Sequence, residues 1–447
     1  MTYCLNTVPK IDGLLCDGEN RKDIAKSLNL KYSVWKHSNG VNYHILKYDK
    51  EWLSEELVYS VGLLRSLIFK DDGTLVCFAP PKSLPVAHLS VDTVSETVVD
   101  VSSSYMAETF VAETFVEGTM INVFYETETN SWEIATRSSV GGRTSFFMED
   151  GFKEENTFSY MFNEVCSYIG LDLQDLNKKY VYSFVMQHPR NRIVKIIKKM
   201  SLYLVNVYHI ENNKTIHIVP IDNNTEQFGM KPNTVNIVNS IPLKSPNSLA
   251  NCKEIMASMN TSYDVVGVMI KNNFGKRWKF RNPNYEHVRK LRGNNPKLQY
   301  QYLTLRQSGM MTEYLRYYKE HRSVFNDFRD IIHAYTNELF NNYIRCYIKK
   351  EKELKEFPEK FKTHMFTLHH EIYLKKLMPE NRYINKEEVI KYFNNLYPAK
   401  QMFILNYDMR KNHIASKKYS MTDTSNISTS TNTSTNTSTN DSVDVVP

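Results

Sequence analysis

The six cysteines, at positions 4, 16, 77, 166, 252 and 346, include no Cys-x2-Cys pair. That excludes a zinc site of the usual paired spacing. Their scatter is the pattern of reduced, packed thiols in a reducing compartment. No apolar run approaches the ~20 residues that a membrane-spanning helix needs. The opening "MTYCLNTVPKIDGLL" has no basic segment followed by an apolar one, so no secretory signal is expected. The expectation is an intracellular, soluble, cytoplasmic protein. No His-Glu-x-x-His is present. "HMFTLHH", with His364, His369 and His370, has another spacing and no acid between its histidines, so helical packing explains it before metal does. Neither sign of charge dominates. The 56 Lys and Arg against 49 Asp and Glu give a net charge of +7, compatible with an anionic partner without requiring one.

What is present suits a large core. The chain has 447 residues, 41% of them apolar, with 29 Tyr and 22 Phe for packing or stacking. From about Val41 to Tyr208 the pattern is mainly β. "LLRSLIFKDDGTLVCFAPP" is two apolar runs joined by Asp-Asp-Gly, a hairpin signal, and "GTMINVFYETETNSWEIATRS" is a second. "TFSYMFNEVCSYIG" reads as a helix closed by Gly170. "YVYSFVMQHPRNRIV" and "LYLVNVYHI" read as strands, and "DVVGVMIKN" with "RWKFRNP" as one more hairpin. From about Tyr285 to Leu405 the period becomes helical. The expected class is α+β: an N-terminal segment 1–40, a β-rich domain 41–285 with antiparallel sheets, an all-α domain 286–417, and a disordered Ser/Thr/Asn-rich tail 418–447.

Basic residues recur beside the strand signals. Arg65 opens "RSLIFKDDG", Lys82 sits in "FAPPKSLP", Arg137 in "WEIATRSSVGG" and Arg192 in "QHPRNRIV". Lys279 and Arg281 alternate in "RWKFRNPNY" and so share one face of a strand. Glu117 and Gly118 sit in "VEGTMINVFY", at the end of a repeated pentapeptide, "AETFVAETFV". The repeat has an odd period. On one strand its two copies would face opposite sides, so the first copy is expected in a loop.

In this order the motifs resemble the phage-type, tRNA-repair ATP-dependent RNA ligases, a family of the covalent nucleotidyltransferases. They are similar to a divergent branch found in large DNA viruses. The resemblance runs from about Tyr43 to Tyr285, and "HPRNRIVKIIKKMSLYLVNVYHIENN" is its most specific stretch. It implies a nucleotidyltransferase domain, ATP and Mg²⁺ as cofactors, and RNA ends or nicked tRNA-like molecules as partners. A lysine would attack the α-phosphate of ATP and pass AMP to an RNA 5′-phosphate. Such a lysine must be neutral, and cations must offset the charge of the transferred phosphate. The resemblance also implies a C-terminal helical domain that helps to choose the RNA.

The sequence departs from that family at its first motif, a lysine followed by any residue, an acid, Gly, and Ser or Thr. Glu117, Gly118 and Thr119 match, but the lysine position falls on Phe115. A phenyl ring has no lone pair and cannot form a phosphoramidate. A motif glutamate is replaced by Val185, and near the Glu-Gly of a later strand the nearest carboxylate is Asp264. Arg65, Lys82, Arg137, Lys279 and Arg281 remain, and each is either a phosphate ligand in one cleft or a surface charge. Lys82 is the candidate for a substitute nucleophile, ahead of Lys70 and Lys153; otherwise it contacts phosphate or solvent. Glu117 contacts a nucleotide or faces solvent in a hairpin. Gly118 permits close backbone approach or marks a bulge. Arg192 binds phosphate or holds its strand. The Tyr-rich "YLRYYKEHRSVFNDF" stacks bases or packs a core, and the basic "KLRGNNPKLQYQYLTLR" contacts RNA or solvent.

Overall fold

The computed structural model describes residues 2–16, 20–37, 40–84, 86, 89–92, 97–100, 109–145, 153–221, 225–243 and 246–423. The chain forms two compact units. One holds residues 1–301 with 308–320, the other residues 302–307 with 321 onward.

In the first unit the alternating and fully apolar runs become antiparallel sheets. The predicted hairpin over Asp71-Asp72-Gly73 joins strands Leu67–Lys70 and Leu75–Phe78. These extend a four-stranded sheet with Leu30–Lys36 and Asn42–Tyr48. The second predicted hairpin, Thr119–Glu126 with Ser131–Ala135, forms one edge of a seven-stranded sheet. Val181–Gln187, Ser201–Asn212 and Thr215–Val219 follow, Thr2–Cys4 closes the other edge, and the short Asn236–Ile237 is the seventh strand, parallel to Ser201–Asn212. Buried Tyr43, Ile45, Ile68 and Phe78 fill the layer between these sheets with Phe124 and Tyr208. On the far face of the large sheet the predicted helix, Phe158–Ile169, packs Phe162 and Val165 against Phe184 and Leu204. Thr157 caps its start by accepting the Tyr160 N–H.

The third sheet has the order Ser240–Pro242, Phe110–Thr114, Gly267–Asn272, Arg277–Arg281. Its Phe110, Ala112, Val268, Ile270 and Trp278 form one apolar face, packed with Leu249 and Cys252 of helix Pro246–Ala257. The other face carries the charged residues discussed below.

Two expectations are corrected. Phe110 and Val111, from the first copy of the pentapeptide, lie in strand Phe110–Thr114 and not in a loop; Ala107 and Glu108 lie outside the described residues. The strand read through "HPRNRIV" stops at Gln187, and residues 188–194 turn away from the ladder.

The second unit is helical. In Arg322–Tyr343, Phe325, Ile332, Tyr335, Thr336, Leu339, Asn342 and Tyr343 are buried at helical spacing, and Tyr335 packs on Phe361 and Phe393. The last described helix is Tyr407–Asp423, and the Ser/Thr/Asn-rich sequence after it lies outside the described residues. Among the described residues no helix is long and apolar enough to cross a membrane.

Candidate functional site

Strand Arg277–Arg281 divides its side chains as a strand must. Trp278 is fully buried against Phe110, at 5.7 Å between ring centroids. Arg277, Lys279 and Arg281 therefore share the opposite face. In the register Lys279 stands beside Met269 and Arg281 beside Gly267. The Arg281 guanidinium lies over the Phe115 ring, 5.3 Å from its centroid, and pairs with Glu286.

The electrostatics bring most of the predicted cations together. Burial, with Arg281, Lys82, Arg65 and Arg277 nearby, pushes the Lys279 amine down to about 8. Burial and then Arg277, with Arg137 adding, lower Arg65 to about 10. Lys82 is lowered by burial and by Arg65. Lys50 is lowered by burial and by Arg137, Arg289, Arg65 and Lys82. Arg65, Lys82, Arg277, Lys279 and Arg281 thus form one cluster, with Lys50 and Arg137 at its edge. Among the described residues, the ion pairs of these five reduce to Arg281 with Glu286. Arg137 is partly spent on bracing. It donates to the Tyr48 carbonyl at 3.1 Å and to the Arg65 carbonyl at 3.4 Å, and stacks over the Tyr48 ring at 5.0 Å.

Phe115 donates its backbone N–H to the Gly267 carbonyl at 3.1 Å. With Glu117, Lys195, Tyr203 and Asp264 it lines a cavity of 250 Å³. Glu117 is buried and does not face solvent. It accepts the Val194 N–H at 3.1 Å and the Lys195 N–H at 3.0 Å, and bonds the Tyr285 hydroxyl. Burial outweighs these donors and raises its pKa above the usual carboxylate range. Gly118 sits at φ 154°, where an added Cβ would stand 2.4 Å from the Met186 carbonyl oxygen and 2.7 Å from Val185 Cγ1. Its need is close approach between neighbouring strands, since Met186 pairs with Thr119. Val185 is buried between Met120 and Tyr203.

Lys82 lines another cavity, of 340 Å³, with Tyr59, Phe274 and Arg277. Among the described cavities, none is shared by Lys82 and Phe115. Lys70 is bonded to Glu126 and Glu128, and these carboxylates raise its pKa despite burial, which keeps it charged and unsuited to attack. Lys153 is exposed beside the short turn Glu154–Asn156. Arg192 serves structure: it pairs with Glu320, donates to the Tyr317 carbonyl at 2.8 Å and stacks on Tyr318. Tyr314 and Tyr318 of the Tyr-rich run are buried, and so is Arg292 of the basic run. His364 is buried, bonded to the Tyr392 hydroxyl at 2.7 Å and lowered to about 4 by burial. His369 stacks on Tyr347 at 3.9 Å. The sequence reading missed Arg277 and Lys50. Arg277 carried a legible signal, because the alternation that links Lys279 to Arg281 extends back to it.

Among the described residues no group of three His, Cys, Asp or Glu is placed to hold a metal ion. Glu113 is bonded to Lys271, Glu286 to Arg281 and Arg289, and Glu117 to backbone N–H groups. Among the described residues these carboxylates, with Asp264 the remaining one in the Phe115 cavity, do not fit a resident divalent cation.

No family model and no curated protein sequence matches this chain. Solved structures with a likeness to it include an archaeal ATP-dependent RNA ligase, form 1, at 12% identity and a TM-score of 0.38, covering 69% of this chain and 70% of that one. Form 2 of the archaeal ligase covers 88% and 81% at 12% identity and a TM-score of 0.40. A Naegleria gruberi RNA ligase variant with ATP and Mn covers 61% and 83% at 12% identity and a TM-score of 0.31. At these identities and scores the likeness carries no residue role and no activity over to this chain.

Proposed function

We propose that this chain is an RNA ligase-like nucleotidyltransferase-fold protein of the phage-type branch. It binds nucleoside triphosphates such as ATP, or phosphorylated RNA ends such as those of nicked tRNA, without forming an adduct at residue 115. The ligase-like region is 41–285, and the helical region 286–417 takes part in choosing the RNA. The observation that carries the reading is the face of strand Arg277–Arg281 that presents Arg277, Lys279 and Arg281 together beside Phe115, where burial and four neighbouring cations depress the Lys279 amine. Five cations with one paired carboxylate attract a polyphosphate, whose charge offsets their repulsion. A divalent cation would enter with the triphosphate oxygens. The six free cysteines suit a reducing cell interior.

The same depressed amine favours a second reading, an active ligase with a relocated nucleophile. A neutral Lys279 amine would attack the α-phosphorus. A P–N bond forms, the bond to the pyrophosphate oxygen breaks, and the amine proton passes to solvent. Lys82 is the other candidate for that role.

One experiment separates these. The full chain is incubated with α-labelled ATP, and separately GTP, with Mg²⁺ or Mn²⁺, and run on a denaturing gel. Retention of triphosphate and of 5′-phosphorylated RNA is measured at rising salt. The binding reading expects no covalent band, with retention that weakens as salt rises. A band abolished by Lys279→Gln or Lys82→Ala establishes the enzyme instead. Neither band nor retention overturns both and leaves a scaffold.

A further inference from the structure

A second feature lies within the helical unit. Ile344–Ile348 and Leu368–Leu377 are π-helical, with the wider turn closed by bonds such as Lys349 N–H to the Ile344 carbonyl at 2.8 Å. That form is rare and recurs at functional sites. Here it accompanies a ladder of rings. Tyr347 and His369 lie nearly parallel, 3.9 Å between centroids with 13° between planes. His369 stacks in turn on Tyr373 at 5.5 Å. Phe366 stacks on His370 at 4.0 Å, and His370 stands edge-on to His369 at 5.1 Å. The ladder is rooted in the core, since Tyr343 is buried and packs on Tyr347 at 5.3 Å. Its outer members are open to solvent. Phe366 is 47% exposed. Tyr383, 6.4 Å from Tyr373 and tilted by 23°, is 73% exposed.

A ring that only fills a core is covered by it, whereas Phe366 and Tyr383 leave large aromatic surface in water. The charges nearby point to what fits that surface. Lys349, Lys350 and Lys352 follow Tyr347 closely, Lys375 and Lys376 follow Tyr373, and all five are exposed. Lys349 and Lys375 pair with Glu351 and Glu371. Among the described residues, the ion pairs do not include Lys350, Lys352 or Lys376. Exposed ring faces beside unpaired cations match a ligand that combines flat rings with repeated negative charge. An unpaired nucleic-acid strand is such a ligand, because every base has a π face and every linkage a phosphate. A duplex keeps the same charge but hides those faces in its stack. We propose that the rings of Phe366, His370, Tyr373 and Tyr383 form a stacking platform for unpaired bases of an RNA strand, with Lys350, Lys352 and Lys376 attracting its phosphates. The inference deepens, and rests on, the reading of region 286–417 as a part that helps to choose the RNA.

The test is equilibrium binding of the full chain to a single-stranded RNA with a 5′-hydroxyl end and an internal 2-aminopurine, to a duplex of the same sequence, and to tripolyphosphate. The 5′-hydroxyl end offers the Lys279 cluster no terminal phosphate. The single strand should bind about tenfold or more tighter than the duplex, and stacking should quench the 2-aminopurine fluorescence. Phe366→Ala and Tyr383→Ala remove exposed rings and leave the buried Tyr343 in place. Each should weaken single-strand binding about fivefold or more and diminish the quenching. Phe366→Trp should keep both signals, and tripolyphosphate binding should be unchanged in all three variants. Equal affinity for single strand and duplex, or alanine variants that bind and quench like the wild-type chain, overturns the platform while the phosphate cleft stands. Failure of tripolyphosphate to bind, with single-strand binding and quenching intact, removes the phosphate reading instead.

Discussion

A lysine amine held near 8 between guanidinium groups takes up a proton when an anion arrives. Lys279 is in that position. The bound anion favours the charged amine and raises its pKa. Affinity is then full below about pH 8 and falls as pH rises between the free and the bound pKa, by up to about tenfold per pH unit. Titration with tripolyphosphate at pH 7, 8 and 9 should show this fall, and proton uptake near pH 8. A flat profile would take Lys279 out of the anion site. At Phe115 the expectation is a gain. Phe115→Lys puts a primary amine beside the Arg281 guanidinium, which now stacks on the ring. The variant should acquire a labelled nucleotide adduct that the wild-type chain lacks, read on a denaturing gel. Single residues were unevenly legible. The alternation in "RWKFR" was enough to pair Lys279 with Arg281. Nothing local told that Glu117 is buried under the amides of Val194 and Lys195, seventy-seven and seventy-eight residues away.

Elements were more legible than their ends. The strand Phe110–Thr114 shows why. Its repeat has an odd period, and the structure keeps the consequence: Phe110 faces the apolar core while Phe115, five residues on, meets Arg281. One sequence phrase supplies a core residue in its first copy and a site residue in its second. The "HPRNRIV" segment was misread as strand because its apolar residues are carried by a loop whose backbone donors go to the Glu117 carboxylate rather than to a neighbouring strand. That loop is also held by Arg192, which donates to the Val194 carbonyl at 3.0 Å. Glu117→Ala should therefore release it. The buried Val194 amide and the partly buried Lys195 amide lose their acceptor, a cost of about 1–3 kcal/mol. Amide exchange at Val194 and Lys195 should quicken well beyond that of the Val181–Gln187 strand. Unchanged protection would mean that the loop is held by its other bonds, from Arg192, from the Tyr318 hydroxyl to the Ile193 carbonyl at 2.7 Å and from Asn191 to Thr119 at 2.6 Å. At the crowded start of the next strand, Gly118→Ala meets backbone at 2.4 Å and should lower the melting temperature by several degrees, an effect of about 1–3 kcal/mol.

On the scale of the whole molecule, sequence order concealed what pairs with what. Thr2–Cys4 joins Thr215–Val219 across more than two hundred residues, and the charged cluster draws on Arg65, Lys82 and Lys279 from distant segments. Such long-range pairing leaves no local pattern to read. Its energetic consequence is testable without knowing the ligand. Burying Lys279 and Arg65 and gathering them with Lys82, Arg277 and Arg281 costs stability; burial first, and then the neighbouring cations, depress both groups. For a lysine whose pKa falls on folding, the unfolded chain binds more protons between the two values. The Lys279 contribution to stability therefore rises with pH between about 8 and about 10.4. A multivalent anion relieves the same repulsion at lower pH. Tripolyphosphate at a hundred times its dissociation constant should add about 2.7 kcal/mol. Sodium chloride of equal ionic strength screens exposed charges but binds no site, so it should raise the melting temperature far less. The increment from tripolyphosphate should shrink when melting is repeated near pH 10, where Lys279 is already neutral, and should fall by about half or more in Lys279→Met. Equal stabilisation by the two salts would mean that the cations do not form an anion site.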